Sequence, residues 1–225
     1  MEWMMNRAFA RLLLLTILAT PIALAQEKTP RAERWQKEIA GLEKRQLAAK
    51  HEKGGIVFVG SSTIRLWDTA KAFPEWKPIN SGFGGSEIRD STMFAERIVL
   101  VHEPRAIVMY AGDNDIAGGR KPEQVAEDFR AFVEAAHKKL PKTRIHFIAI
   151  KPSISRWKQF ETQKKANDLV QEICKKDERL NYIDIVAPML GDDGKPKAEL
   201  FVLDGLHMSA KGYEIFKEAV RKAVK

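Results

Sequence analysis

The chain has little cysteine: Cys174 stands alone in 225 residues. One cysteine cannot close an internal disulfide, so a stable fold has to come from its core. Cys174 falls at helical spacing with Ala166, Leu169, Val170 and Ile173, which predicts a buried small hydrophobe and not a nucleophile. Blocks of like charge are also missing. The formal charge is +8, but basic and acidic residues alternate, as in RAERWQKEIAGLEKRQ. Without a basic arm or stripe, no nucleic-acid partner is expected. No repeat or low-complexity tract interrupts the chain. The histidines His51, His102, His137 and His146 stand apart from any second ligand at metal spacing. Asp113-x-Asp115 with Gly118 hints at a calcium loop, but Ala117 and Gln124 stand where ligands belong. No metal and no cofactor are expected.

Only one long apolar run is present, LLLLTILATPIALA, preceded by Arg7 and Arg11 and ending in Ala23-Leu24-Ala25. A basic start, a short apolar stretch and a small-x-small end predict an export signal over residues 1–25. The run is short and contains Pro21, which argues against a membrane anchor. The expected location is therefore periplasmic or extracellular, with no membrane span after cleavage.

What remains is 44% hydrophobic and 30% charged before cleavage, ordinary for a globular domain. Residues 26–53 begin with an amphipathic pattern, Trp35, Ile39 and Leu42. Five short apolar runs follow: GGIVFVG (54–60), KPINSG (77–82), RAIVMYAG (105–112), RIHFIAI (144–150) and LNYIDI (180–185). Between them lie helical patterns. Ile88, Ala95, Ile98 and Val99 share one face, and Val125, Phe129, Phe132, Val133, Ala136 and Leu140 share another. A third helix spans 163–175, and a last one spans 210–224 with Ser209 as its N-cap. Strands alternating with helices predict an α/β domain over 54–225 with a mostly parallel sheet. In such sheets, ligands bind beyond the carboxyl ends of the strands.

The strand exits carry the chemistry-bearing residues. The first run ends in Gly60-Ser61-Ser62, the second in GFGG (82–85), the third in Gly112-Asp113-Asn114-Asp115. The last loop holds Asp204-Gly205-Leu206-His207. A hydroxyl, backbone N–H donors at Gly85, an amide at Asn114 and an Asp-His pair make the set that acyl transfer needs. The G-x-S-x-G elbow of α/β-hydrolases is absent.

GSS, GFGG, GDND and DGLH resemble the four signature blocks of the SGNH hydrolases, the GDSL-type esterases and lipases. The resemblance implies a flavodoxin-like three-layer α/β/α sandwich with a five-stranded sheet. It implies Ser62 as nucleophile, Asp204 and His207 as its partners, and an oxyanion hole of Ser62, Gly85 and Asn114. Ser61 stands where the family usually has Asp, which leaves Ser61 as a rival nucleophile; the G-x-S order favours Ser62.

The expected activity is hydrolysis of short acyl esters, acetyl foremost, on a carbohydrate or similar alcohol. A lysophospholipase or thioesterase, or an inactive carbohydrate-binding protein, are the alternatives. Trp67, Trp76 and Trp157 are candidate sugar-stacking walls, with Ser61 beside them, and Arg65, Arg89 and Arg156 are candidate contacts for anionic groups. Oligomeric state is not readable.

Overall fold

The computed structural model describes residues 30–224, so the expected export signal lies outside the described residues. The apolar runs become five strands, β1 (Ile56–Gly60), β2 (Ile79–Gly82), β3 (Ala106–Tyr110), β4 (Arg144–Ile148) and β5 (Leu180–Ile183). They form one sheet in the order β2-β1-β3-β4-β5, with every neighbour pair parallel. Such strands are buried on both faces, so they read as continuous apolar runs and not as alternating ones. Alternation is still present in which layer each side chain joins. Val57 and Val59 enter one core with Ile107, Met109, Ile145 and Phe147. Ile56 and Phe58 enter the other with Val108, Tyr110 and Ile183.

The first core is covered by α1 (Pro30–Ala49), α4 (Ile88–Met93), α5 (Ala95–Ile98), α7 (Pro122–Lys139) and α8 (Phe160–Cys174). The second is covered by the one-turn α2 (Ser62–Arg65), α3 (Thr69–Ala72), α9 (Val186–Met189) and the last helix α10 (Ala210–Ala223). One further short helix, α6 (Asp113–Ala117), follows β3. The result is the α/β/α three-layer sandwich.

Helix α1 is built into the first core through Trp35, Ile39 and Leu42. Its Gln46 is buried and donates to Ser81 Oγ at 2.8 Å, while Arg31 forks onto Asp90 at 2.6 and 2.8 Å. Ser209 caps α10, its hydroxyl accepting the N–H of Gly212 at 3.3 Å.

Two helical expectations change. The single face of Ile88, Ala95, Ile98 and Val99 is divided between α4 and α5, because Phe94 leaves helical geometry at φ −104°, ψ 5°. Its ring turns into the core, 6.1 Å from that of Phe83. On α8, Leu169 is 36% exposed. The buried stripe uses Asn167 instead, whose amide accepts from Ile150 N–H at 2.8 Å and donates to Ile150 C=O at 2.9 Å. A polar residue sits in the core there because it satisfies the backbone just past β4. Cys174 is buried, and burial first of all pushes its thiol up to about 12, which keeps it protonated and inert.

Candidate active site

In this strand order, the chain leaves β1 toward β2 on one side and returns to β3 on the other. A crevice opens at that reversal, beyond the carboxyl ends of the strands. Gly60 closes β1 opposite Tyr110 at the end of β3. Its φ is +139°, and a Cβ there would lie 1.9 Å from Tyr110 O. Only glycine permits the chain to turn here and present the next two residues. Ser61 then occupies the N-cap position of α2, and Ser62 is its first helical residue. The first N–H groups of a helix have no partner within it, so the Ser62 N–H belongs to a set of donors at the positive end of a helix.

The loop before α10 meets Ser62 from the far end of the sequence. Antiparallel bridging of Phe201 to Met208 pinches the loop. Inside it, Asp204 Oδ1 accepts the backbone N–H groups of Leu206 and His207 at 2.8 and 2.9 Å. Its Oδ2 faces His207 Nδ1 at 2.5 Å. The His207 hydrogen bond, followed by these backbone donors, holds the Asp204 carboxyl down at about 2. The group is therefore a carboxylate at any ordinary pH, and it requires the proton of a neutral imidazole on Nδ1. That leaves a lone pair on Nε2, which lies 2.9 Å from Ser62 Oγ. The arrangement can draw a proton from the hydroxyl.

Ser62 and His207 line a cavity of about 370 Å³ together with Gly84, Gly85, Asn114 and Leu206. Gly85 holds φ +72°, the left-handed region that favours glycine. Asn114 lies in α6; its amide N–H donates to Ser86 C=O at 3.0 Å and its Oδ1 accepts from Arg156 Nη2 at 2.9 Å. Among the described residues, no group of three or more His, Cys, Asp or Glu is placed to hold a metal ion.

Residues 62–215, more than half of the chain, match the GDSL-like lipase/acylhydrolase family. The chain belongs to that family. No curated protein sequence matches it closely enough to count as a relative. Among solved structures, a proposed platelet activating factor from Streptococcus pneumonia is similar in fold, with TM-score 0.75 and 19% identity over 87% of this chain and 97% of that one. A GDSL-like lipase from Bacteroides thetaiotaomicron superposes with TM-score 0.65 and 19% identity, covering 85% of this chain and 95% of that one. A variant of an acetyl-xylooligosaccharide esterase from Geobacillus stearmophilus gives TM-score 0.62 and 16% identity, covering 78% and 97%. As a GDSL-like acylhydrolase, the protein is an ester-hydrolysing enzyme.

For this acylhydrolase, several sequence expectations change in three dimensions. Ser61 is 1% exposed, and among the described residues its hydroxyl has no hydrogen-bond partner. Ser61 does not line the cavity that holds Ser62 and His207. Trp67 is 4% exposed and packs among Phe58, Phe73 and Tyr213, so it is core and not a sugar platform. Trp76 stacks on Phe73 at 4.4 Å. Trp157 stacks on Phe160 at 4.7 Å and does not line the cavity. Arg89 is turned to Glu87 at 2.8 Å. Apolar burial outweighed the wall role for Trp67, as aromatic surface usually does, whereas Trp76 and Trp157 are half-buried and lie outside the cavity lining.

Residues absent from the signature blocks complete the lining: Glu38 from α1, Arg65 from α2 and Arg156 from the β4–α8 loop. Glu38 accepts the Gly84 N–H at 3.1 Å and faces Arg65 Nε at 3.9 Å. Behind Asn114 lies a buried polar network. Asp113 Oδ2 accepts from Lys151 Nζ at 3.2 Å and from the Tyr110 hydroxyl at 3.3 Å, and faces Arg156 Nη1 at 3.3 Å. Burial pushes the Asp113 carboxyl up, but Lys151 and Arg156 outweigh it and hold it below its usual range. Burial pushes the Lys151 ammonium down, against the pull of Asp113. The sequence carried one usable signal for this network: Lys151 ends an apolar strand run, where a lysine needs a buried acid.

Proposed function

We propose that this acylhydrolase is an exported serine esterase that removes short acyl groups, acetyl foremost, from a carbohydrate or similar alcohol. The observation that carries the reading is the 2.9 Å approach of His207 Nε2 to Ser62 Oγ, with Asp204 on the opposite ring nitrogen. Ser62 Oγ attacks the ester carbonyl while His207 takes its proton. The oxyanion is received by the N–H groups of Ser62 and Gly85 and the Asn114 amide. His207 returns the proton to the alcohol, which leaves with the collapse to an acyl-enzyme. Water then attacks, deprotonated in turn by His207, and releases a carboxylic acid.

A short acyl group is supported by the lining of the cavity. Among the described residues, Leu206 is its one apolar side chain; the rest are glycines and polar or charged groups. A long acyl chain would find no apolar wall there. Glycan as the alcohol agrees with the acetyl-xylooligosaccharide esterase of similar fold, and export agrees with the basic-apolar pattern of residues 1–25.

The deciding experiment is hydrolysis of p-nitrophenyl acetate, butyrate and octanoate by the wild type, Ser62→Ala and Ser61→Ala. The reading requires activity that favours acetate, disappears in Ser62→Ala and persists in Ser61→Ala. Preference for octanoate would overturn the short-acyl assignment. Activity retained in Ser62→Ala would remove the nucleophile.

A further inference from the structure

Asn114 Nδ2 donates to Ser86 C=O, and Asn114 Oδ1 accepts from the Arg156 guanidinium at 2.9 Å. The two contacts fix the orientation of the amide. If it were flipped, its oxygen would face a carbonyl and its NH2 a guanidinium, two repulsions in place of two bonds. The Arg156 side chain is largely buried, 18% exposed. It is held in turn, because Asp113 Oδ2 lies 3.3 Å from its Nη1. Asp113 also engages Lys151 and Tyr110, all of them buried. Lys151 and Arg156 both face the Asp113 carboxylate behind the amide. Such a cluster is costly to bury unless its charges are paired, and it reaches the cavity through Asn114 and Arg156, which both line it.

We propose that Arg156 is a positioning residue of the reaction: it locks the Asn114 amide with its second N–H directed to the developing oxyanion, and the Asp113–Lys151 pair holds Arg156 for that task. This deepens the proposed esterase mechanism and rests on Asn114 acting as an oxyanion donor. It assigns Arg156 a task other than contact with an anionic substrate. A guanidinium is suited to it, since one nitrogen of the planar fork bonds Asn114 while another is ion-paired with Asp113. Lysine offers only a point charge at the same place.

The test is a double-mutant cycle on hydrolysis of a neutral acetyl ester: wild type, Arg156→Met, Asn114→Ala and the pair, with Arg156→Lys alongside and melting temperatures for all. Removal of one oxyanion donor typically lowers kcat by about 10²–10³. Arg156→Met is expected to lower kcat by roughly ten-fold or more within that range, with KM little changed. In the Asn114→Ala background it is expected to cost nothing further, and Arg156→Lys is expected to restore part of the loss. Should Arg156→Met fail to fold, Arg156→Lys carries the cycle alone, with a smaller kcat loss that again vanishes without Asn114. Equal losses in both backgrounds, or an effect confined to KM for anionic esters, would overturn the proposal. Full activity in Asn114→Ala would instead overturn the oxyanion role of Asn114, and the proposal with it.

Discussion

His207 Nε2 and Ser62 Oγ lie 2.9 Å apart although 145 residues separate them in the chain. The fold closes that distance by strand order together with the docking of the last helix. Ser62 follows β1, which lies between β2 and β3, and His207 precedes α10, which packs on the same layer as α2. Tyr213 of α10 fastens the two ends, its hydroxyl donating to Thr63 C=O at 2.9 Å. The pair therefore depends on the docking of α10 as much as on either side chain.

Asp204 determines which nitrogen of His207 carries the proton. Asp204→Asn keeps the shape but removes the charge that selects the Nδ1–H tautomer. Its kcat is expected to fall toward the ~10⁴-fold loss typical of a triad Asp made Asn, with KM nearly unchanged. The same substitution has a stability signature. The Asp204 carboxyl is held at about 2, below its ordinary 3.8. Its stabilising contribution is complete above the unfolded value and is lost as pH falls from there through about 2. Melting temperatures of wild type and variant are expected to converge in that acid window. A gap that stays constant down to pH 2 would mean the carboxylate gains nothing from His207.

Two glycines of the site are expected to respond differently to alanine. At Gly60 a Cβ would strike Tyr110 O at 1.9 Å, a backbone atom that cannot move without breaking β1 from β3. Gly60→Ala is expected not to give soluble folded protein. At Gly85 the nearest atoms to a Cβ are 3.6 Å away, both in side chains, and only the φ of +72° is unfavourable. Gly85→Ala is expected to fold with a loss of about 1–2 kcal/mol. Thermal unfolding separates the two; a fully stable Gly60→Ala would refute the steric account.

The fold was legible because parallel strands buried on both faces leave uninterrupted Val and Ile runs, and each run here is flanked by turn residues. The four blocks at the strand exits were legible for a related reason: catalytic geometry restricts residue type over three or four consecutive positions. What could not be read is what long-range packing decides. Trp67 and Trp157 look alike in sequence, and neighbours such as Phe58, Phe73 and Tyr213 make the first of them core. Arg156 acquires its partner Asn114 from 42 residues away. Glu38 reaches the cavity because Trp35, Ile39 and Leu42 dock the same helix on the sheet. The hydrophobic stripe of α1 predicted a covered face, but its spacing carries no information about where the polar edge of the helix ends up.

Asp115 makes the stability of the enzyme depend on pH in the opposite sense to Asp204. It is buried, and burial raises its carboxyl to about 7, with the Ile88 N–H bond opposing and the Glu87 charge adding. The unfolded chain ionises this group near 3.8, so between there and about 7 the folded state binds more protons. Stability contributed at this position falls as pH rises through that window and is level above it. Asp115→Asn is uncharged and still offers an oxygen to the Ile88 N–H, which Asp115 Oδ1 accepts at 3.0 Å. The variant is expected to gain on the wild type from pH 4 to 7, by an amount on the order of a few kcal/mol. His146, pushed down to about 4 mainly by burial, has the reverse slope over nearly the same range. The comparison must therefore be a difference between the two proteins and not one melting curve. Parallel curves would show an aspartate that titrates in the ordinary acid range.

Arg65 bears on the alcohol half of the ester. Its guanidinium lies across Gly84, where a Cβ would be 3.1 Å from it, and it lines the cavity beside Ser62. The side chain is 49% exposed, and its carboxylate neighbour Glu38 is 3.9 Å away and already accepts the Gly84 N–H. Its charge is thus only partly neutralised at the mouth of the site. An ester whose alcohol carries a carboxylate or phosphate is expected to show a lower KM than a neutral one with the same acyl group. Arg65→Gln is expected to raise the KM of the anionic ester by roughly 2–5-fold, the size of an exposed ion pair, and to leave kcat and the neutral ester nearly unaffected. Added salt should reproduce the same shift in the wild type, because the contact is open to solvent. If both esters respond alike to the substitution, Arg65 acts only by holding the Gly84 turn in place, and selection of the alcohol has to come from elsewhere on the rim.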